Sequence, residues 1–194
     1  LDGAVAYTVV IGAAAGDASY AGLDAPDLAL SNLDNDASPN VLVVDTAADL
    51  TDGDTSSIGA LLANRGAEGR ISLREALLAT NATANSAAGA DRIEFGIAGG
   101  GVQILALGSL LPNVTQAVVL DARTQTGYTA SPLIQLDGGG TVADGLRLLD
   151  GADGSAVHGL SIVDFAQNGI DLSRADGVTL TANHVGVRAD GSAG

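Results

Sequence analysis

The chain has 194 residues, with 8 Lys+Arg against 23 Asp+Glu, a net charge of −15 and no cysteine. The basic residues are all arginines and are scattered along the chain, so no basic patch can form, and nucleic acid and anionic membrane surfaces are excluded as partners. The lack of cysteine excludes disulfides and thiolate catalysis. With 46 % hydrophobic and 16 % charged residues, the composition predicts one folded domain, or one domain plus a fragment, with a core of small aliphatic side chains.

The first 36 residues are predicted to contain two β-strands, at residues 4–11 and 28–33. The longest apolar stretch, residues 4–16, is shorter than the ~18 to 20 residues of a spanning helix and follows no basic region, so neither a transmembrane segment nor a signal peptide is predicted. Two strands cannot bury both of their faces. We therefore expect them to dock on the chain, to end a partial β-sandwich, or to pair with another subunit. Since the chain starts at Leu1 and contains no Met, we expect a piece of a longer or processed polypeptide.

Two groups of oxygen-bearing side chains are candidates for calcium, which prefers carboxylate and carbonyl ligands. The first group is Asp24, Asp27, Asp34, Asn35 and Asp36. A second, weaker group is Asp49, Asp52 and Asp54. Neither group has the spacing of an EF-hand, and Asp-Gly and Asp-Asn pairs also form ordinary turns. Calcium is thus the one cofactor that the sequence suggests.

Residues 37–91 are predicted to form an N-terminal cap region. A β-branched run at residues 41–44 predicts a strand, an acidic loop follows, and residues 56–64 predict a helical turn. The segment ISLREALLATNA then predicts a short amphipathic helix over residues 72–82. So short a helix needs an apolar surface to lie on.

The start of this helix carries a capping motif, made of Ser72, Leu73, Arg74, Glu75 and Ala76. The Ser72 hydroxyl is expected to accept a hydrogen bond from a free N–H of the first turn, while Glu75 accepts one from the N–H of Ser72. Arg74 is expected to pair with an acidic loop residue such as Asp45 or Asp49. The motif is therefore interpreted as structural.

Residues 92–194 are predicted to form the coils of a parallel β-helix. Residues 144–148 match residues 168–172 at an offset of 24, and Val157 matches Val178 at an offset of 21. Interleaved strand types that each recur after ~20 to 25 residues are typical of a solenoid, whereas a propeller needs four antiparallel strands in ~40 residues. The predicted helix would cover the first coil, and no similar element follows the last strands. The fold class is therefore all-β, a right-handed parallel β-helix with a short N-terminal capping helix, preceded by two strands of a partial β-sandwich.

Grouped carboxylates must be weighed as a glycosidase acid and base, because some β-helices cleave polysaccharides. The candidates at or after strand ends are Asp121, Asp137, Asp150, Asp164 and Asp171. A polysaccharide lyase would also need a basic residue to lower the pKa of the proton that is abstracted, and the candidates on the repeats are Arg147 and Arg174. The alternative is that these aspartates form corners between strands. With Val157 aligned on Val178, His158 lies opposite Thr179 and His184 falls out of register, so no shared histidine site is expected. An enzyme is therefore not expected.

Residues 41–194 resemble the CSLREA-type domain of large bacterial secreted and cell-surface proteins. Residues 72–76 match its Ser-Leu-Arg-Glu-Ala motif, and Ile71 stands where the family has a cysteine. Residues 5–36 are similar to the closing strands of Calx-beta-like sandwich repeats. The resemblance implies an extracellular or cell-surface scaffold, as in adhesins and fibre components, and names no ligand.

Two functional hypotheses follow. The first is a non-enzymatic structural or adhesive module of a bacterial surface protein, which could assemble as a fibre subunit by head-to-tail contact with identical subunits. Its partners would be neighbouring domains, identical subunits, or a glycan or other cell-surface ligand. The alternative is a β-helix that binds or cleaves polysaccharide.

Overall fold

The computed structural model describes residues 5–10, 19, 26–32 and 39–193 of the chain. The chain divides into two compact units, Leu1–Ala37 and Ser38–Gly194, one residue from the boundary predicted at 36. In the first unit β1 (Val5–Val9) pairs antiparallel with β2 (Leu28–Asn32). Both predicted strands are therefore present within the described residues.

The second unit is a parallel β-solenoid of about four turns with few helices, which confirms the predicted parallel β-helix. Two helices lie between its first two strands, α1 (Ile58–Ala63) and α2 (Leu73–Asn81). Its strands, in chain order, are β3 (Val41–Val44), β4 (Asp91–Phe95), β5 (Gln103–Ala106), β6 (Val118–Asp121), β7 (Ile134–Asp137), β8 (Asp144–Arg147), β9 (Ala156–His158), β10 (Leu160–Val163), β11 (Asn168–Asp171), β12 (Thr179–Thr181) and β13 (His184–Val185).

The strands stack in parallel on three faces of the solenoid. The first face is the five-stranded sheet β3-β4-β6-β9-β12, and the second is the four-stranded sheet β5-β7-β10-β13. The third face pairs β8 with β11 and is extended by a parallel bridge from Val114 to Leu148. The first face starts with β3, so the sheet begins at Val41, before the helices and not at residue 92, where the sequence placed the first coil.

Alternation along each strand places one set of side chains inside the solenoid. On the first face, residues in register from one coil to the next form an apolar column of Leu42, Ile93, Leu120, Val157 and Leu180. The first four are buried, whereas Leu180, in the outermost strand of this face, is 42 % exposed. Stacked aliphatic side chains of this kind form the core of the unit.

The register of the coils confirms one predicted offset and corrects the other. Asn168 lies opposite Asp144, as the offset of 24 predicts. The offset of 21 is wrong, because His158 lies opposite Thr181, 23 residues later, and not opposite Thr179. Gly177 turns the chain at a φ of 65°, and Val178 precedes the strand, which starts only at Thr179.

Candidate functional site

Helix α2 begins with the predicted capping box. The backbone N–H of Glu75 donates to the Ser72 hydroxyl at 3.2 Å, and the N–H of Ser72 donates to Glu75 Oε2 at 2.9 Å. Both residues are fully buried. Two otherwise free N–H groups of the helix start are thereby satisfied, as the predicted hydrogen bonds of Ser72 and Glu75 require.

Glu75 also fixes the acidic loop, which the sequence did not predict. Its Oε1 accepts the backbone N–H groups of Asp52 at 2.9 Å and Gly53 at 2.8 Å. A Cβ on Gly53 would lie 2.7 Å from Leu61 Cδ1 and 3.1 Å from Glu75 Oε1, so a larger residue here would force these side chains to shift. One buried carboxylate therefore joins the helix start to a loop more than 20 positions earlier in the chain.

Arg74 joins α2 to the loop and to the first complete coil. Its guanidinium donates to both carboxylate oxygens of Asp49, at 2.7 and 2.9 Å, which confirms one of its two predicted partners. The same group donates to the carbonyl oxygens of Leu110 at 2.7 Å and Ser109 at 3.1 Å. Asp45, the other predicted partner, instead contacts Arg70.

Asparagines at the end of α2 satisfy the edge of the same coil. Asn81 Nδ2 donates to the carbonyl of Asn113 at 2.7 Å, and its Oδ1 accepts the N–H of Thr115 at 2.9 Å. Asn85 Nδ2 donates to the carbonyl of Ala117 at 2.9 Å. Together with Arg74, these side chains bind edge groups that another strand would otherwise pair, so α2 and the residues after it cover the third face at this end of the solenoid. Sequence reasoning missed both asparagines, although they lie close together in the segment TNATAN at the end of the predicted amphipathic helix.

The three aspartates of the second calcium candidate do not converge. Asp49 is held by Arg74 and also accepts the N–H of Gly108 at 3.0 Å. Asp52 accepts the N–H of Ala67 at 2.7 Å, and hydrogen bonds from Ser56 lower the pKa of Asp54. The three carboxylates are therefore bound to different parts of the chain, Asp49 to α2 and to the segment after β5, Asp52 to the segment after α1, and Asp54 to its own loop.

Within the described residues, one group of three carboxylates could hold a metal ion. It comprises Asp52, Glu68 and Glu75, with one oxygen of each lying within 4.8 Å of the others. Desolvation, followed by the charges of Asp52 and Glu75, raises the pKa of Glu68. Both oxygens of Glu75 already accept backbone hydrogen bonds, so three ligand positions fall short of the six to eight that calcium takes.

The first calcium candidate stays a prediction. Four of its residues, Asp24, Asp34, Asn35 and Asp36, lie outside the described residues. Asp27 is described and its side chain is exposed.

Every carboxylate considered as a catalytic candidate lies in an ion pair with arginine. The pairs are Asp121 with Arg92 and Arg123, Asp137 and Asp164 with Arg188, Asp150 with Arg174, and Asp171 with Arg147. A hydrogen bond from Arg123 is the main cause of the lowered pKa of Asp121, and hydrogen bonds from Ser173 are the main cause of the lowered pKa of Asp171. Both carboxylates are thereby held ionised, whereas a general acid needs a raised pKa.

The two histidines lie on different faces of the solenoid. His158 Nδ1 lies 2.5 Å from Thr181 Oγ1 on the first face, and burial together with the charge of Arg123 lowers its pKa. His184 lies opposite Ser161 on the second face, and its buried Nδ1 has no hydrogen-bond partner among the described residues. The expectation that they share no site agrees with this placement, although the alignment behind it was wrong.

The segment after β13 folds back on the outside of the second face. Arg188 lies 3.6 Å from Asp137 and also contacts Asp164, while the N–H of Ala189 donates to buried Gln135 Oε1 at 3.1 Å. Beside it lies a shallow cavity of about 220 Å³. Its lining consists of Val102, Ile104, Gln135, Arg188 and Asp190. Arg188 is already paired with two carboxylates, so it offers this cavity no unpaired positive charge for an anion.

In the part of the chain that the structure describes, no helix has the length and apolar character needed to cross a membrane. Comparisons with protein-family models, curated proteins and solved structures found no match. The resemblance to the CSLREA-type domain therefore stays a prediction, as does the extracellular location that it implies.

Proposed function

We propose that this chain is a non-enzymatic structural module of a bacterial extracellular or cell-surface protein, in which the β-solenoid acts as a stalk or adhesive rod. The observation that carries the proposal is a parallel solenoid that α2 covers along its third face at one end, while β11, β12 and β13 are the outermost strands at the other end. The resemblance to the CSLREA-type domain and the strongly acidic composition agree with an extracellular scaffold.

The charged side chains support a structural role. Within the described residues, seven of the eight arginines form ion pairs, those at positions 70, 74, 92, 123, 147, 174 and 188. Many of these pairs join neighbouring coils, as Arg147 does with Asp171 and Arg188 with Asp164. Such pairs connect one coil to the next and leave the candidate carboxylates engaged, so polysaccharide cleavage is less well supported than a scaffold. We expect no reducing sugar to be released from acidic polysaccharides.

The uncovered strands suggest where a partner binds. β11, β12 and β13 are the outermost strands of their sheets at the end opposite α2, and Leu180 and Val185 are 42 % and 52 % exposed there. An unpaired strand edge is a template for a further strand. We propose that a neighbouring domain or an identical subunit adds a strand here. In head-to-tail assembly that strand would come from β1 or β2 of the next copy, which form a separate two-stranded sheet.

A proline at residue 180 tests strand addition without breaking the solenoid. The N–H of Thr179 donates to the carbonyl of Ser155, and the carbonyl of Thr181 accepts the N–H of Gly159. In a parallel ladder the N–H of Leu180 therefore points away from the solenoid. Leu180→Pro removes this outward donor and spares the inward hydrogen bonds.

We expect the wild-type chain to form assemblies whose mass, measured by light scattering, rises with protein concentration, and we expect Leu180→Pro to stay monomeric. Leu180→Val is the matched control, because it keeps the N–H and a strand-forming side chain. A monomeric wild type would remove self-assembly and leave a neighbouring domain as the partner. A glycan array on the same samples tests adhesion. Equal assembly of all three chains would place any contact elsewhere.

A further inference from the structure

Strand β3 leaves an unpaired edge at the N-terminal end of the first face. It is the outermost strand of that sheet, as β12 is at the opposite end. The carbonyls of Asn40 and Val44 accept N–H groups from the segment of β4, so in a parallel ladder the N–H and C=O groups of Val41 and Val43 point away from the sheet. Among the described residues, no hydrogen bond outside the ladder of β3 and β4 involves these groups.

The edge of β12 complements the edge of β3. The N–H and C=O groups of Leu180 point outward there, because those of its two neighbours in the strand face β9. If Leu42 of a second copy lies opposite Leu180, the N–H of Leu180 meets the carbonyl of Val41 in that copy. The carbonyl of Leu180 then accepts the N–H of Val43. This is the same parallel register in which β12 already pairs with β9.

The same pairing would continue the apolar column of the first face. Leu180 ends this column and is 42 % exposed, whereas Val157, its neighbour on β9, is buried. Leu42 of a second copy would extend the column beyond Leu180, as Leu180 extends it beyond Val157. Removal of apolar surface from water favours such a contact.

Both edge strands lack charged side chains, although the chain carries a net charge of −15. The outward side chains are Val41 and Val43 on β3 and Thr179 and Thr181 on β12, and all four are exposed. The strands between them carry arginine, glutamate and aspartate on the outer side. Natural sheets commonly protect exposed edges from pairing with charged side chains or proline. These two edges have no such protection, so they fit each other without opposing like charges.

We propose that β3 of one copy pairs with β12 of another, in parallel and in register, so that solenoids stack end to end along the first face. This contact rests on the proposed head-to-tail self-assembly and names the strands that make it. It places Val43 opposite Thr181 and Val41 opposite Thr179, and such β-branched side chains suit adjacent strands. β1 and β2 are then left for the edges of β11 and β13.

Cysteine cross-linking tests this register, because the chain has no cysteine of its own. Val43→Cys and Thr181→Cys chains are mixed in equal amounts under mild oxidation, with a size tag on one of them. We expect a disulfide-linked mixed pair with twice the 19.0 kDa mass of one chain. The matched control replaces Thr181→Cys with Val185→Cys, which is exposed at the same end but on the second face, and it is expected to stay unlinked.

The other outcomes separate this contact from self-assembly as such. Linked pairs of Val43→Cys chains alone would mean that two copies meet through β3, which would overturn the proposal. Linkage of Thr181→Cys to Ala29→Cys in β2, in place of Val43→Cys, would overturn it while self-assembly stands. A wild-type chain that light scattering finds monomeric at every concentration would overturn both.

Two double variants test the same contact without an oxidant. Thr181→Glu combined with Val43→Glu places like charges opposite each other across the contact, whereas Thr181→Glu combined with Val43→Lys places opposite charges there. Both positions are exposed within one copy, so both variants are expected to fold. We expect the first variant to stay monomeric at concentrations at which the wild type assembles, and the second to assemble. Equal assembly of the two would contradict the pairing of β3 with β12.

Discussion

Glu75 accepts hydrogen bonds from three backbone N–H groups that belong to two separate segments, the start of α2 and the loop at Asp52 and Gly53. The bond to Ser72 was predictable because it spans three residues within one motif. The bonds to the loop span 22 and 23 positions and depend on how the loop packs, which local sequence patterns do not encode. The same limit applies to Asn81 and Asn85, whose partners lie in the next coil.

Glu75→Gln is expected to destabilise the chain by about 2 to 3 kcal/mol, because the new amide N–H₂ must face backbone N–H groups that Glu75 now accepts. Urea unfolding at neutral pH measures the change. Glu68→Gln is the matched control. The pKa of Glu68 is raised in the folded chain, so its ionised form is less favourable there than in the unfolded chain. Removal of this charge is therefore expected to cost no stability at neutral pH. Equal losses in both variants would contradict the buried role assigned to Glu75.

At the scale of elements, the first face carries charged side chains on its outer side that connect neighbouring strands. Glu94 of β4 lies opposite Asp121 of β6, which lies opposite His158 of β9. Arg92 lies within ion-pair distance of both Glu94 and Asp121, at 3.3 and 3.5 Å. The like charges of Glu94 and Asp121 on adjacent strands are thereby offset by a cation on the same surface.

Arg123→Gln tests how strongly this surface depends on Asp121. Arg123 is the main cause of the lowered pKa of Asp121, so this ion pair stabilises the folded chain above the unfolded pKa of 3.8. The stabilisation is lost as the pH falls through the pKa of Asp121 in the folded chain. We expect a loss of about 1 kcal/mol at pH 7, a small value because the guanidinium is partly exposed and screened. The difference from the wild type should shrink below pH 3.8.

NMR titration of Asp121 and His158 checks the cause, since both pKa values should rise in the Arg123→Gln chain. Arg174→Gln is the matched control, because Arg174 and Asp150 are 64 % and 78 % exposed and their pair is expected to contribute less than about 0.5 kcal/mol. A similar loss in both variants at every pH would contradict the assigned ion pair.

The elements themselves were largely predictable, because short β-branched runs between turn residues predict strands whatever their partners are. The strand Val41–Val44 was predicted at its observed bounds, and the capping box located the start of α2. The register was harder. Val157 matches both Val178 and Leu180 in type, whereas in the structure the chain turns at Gly177 and Leu180 is the partner. The earlier coils, in which Val119 pairs with Ala156, contain loops that hide the period.

For the whole solenoid, stability is expected to depend on position along its axis, because each coil contacts only its neighbours. Leu120 and Leu180 occupy the same apolar column, two strands apart on the first face. Leu120 has a coil on each side and is buried, whereas Leu180 lies in the outermost strand and is 42 % exposed. The two leucines therefore differ mainly in their place along the axis.

We expect Leu120→Ala to destabilise the folded chain by about 2 to 5 kcal/mol, because it leaves a cavity between two coils. Leu180→Ala is expected to cost less than about 1 kcal/mol, since part of that side chain is already in water. Urea unfolding measures both changes on the monomeric chain, and hydrogen exchange should show β6 and β7 protected longer than β12 and β13. If strand addition at Leu180 occurs as proposed, the Leu180→Ala loss should grow with protein concentration, because the assembled state buries that side chain. Equal losses at low concentration would mean that the last coil is as well packed as the central one.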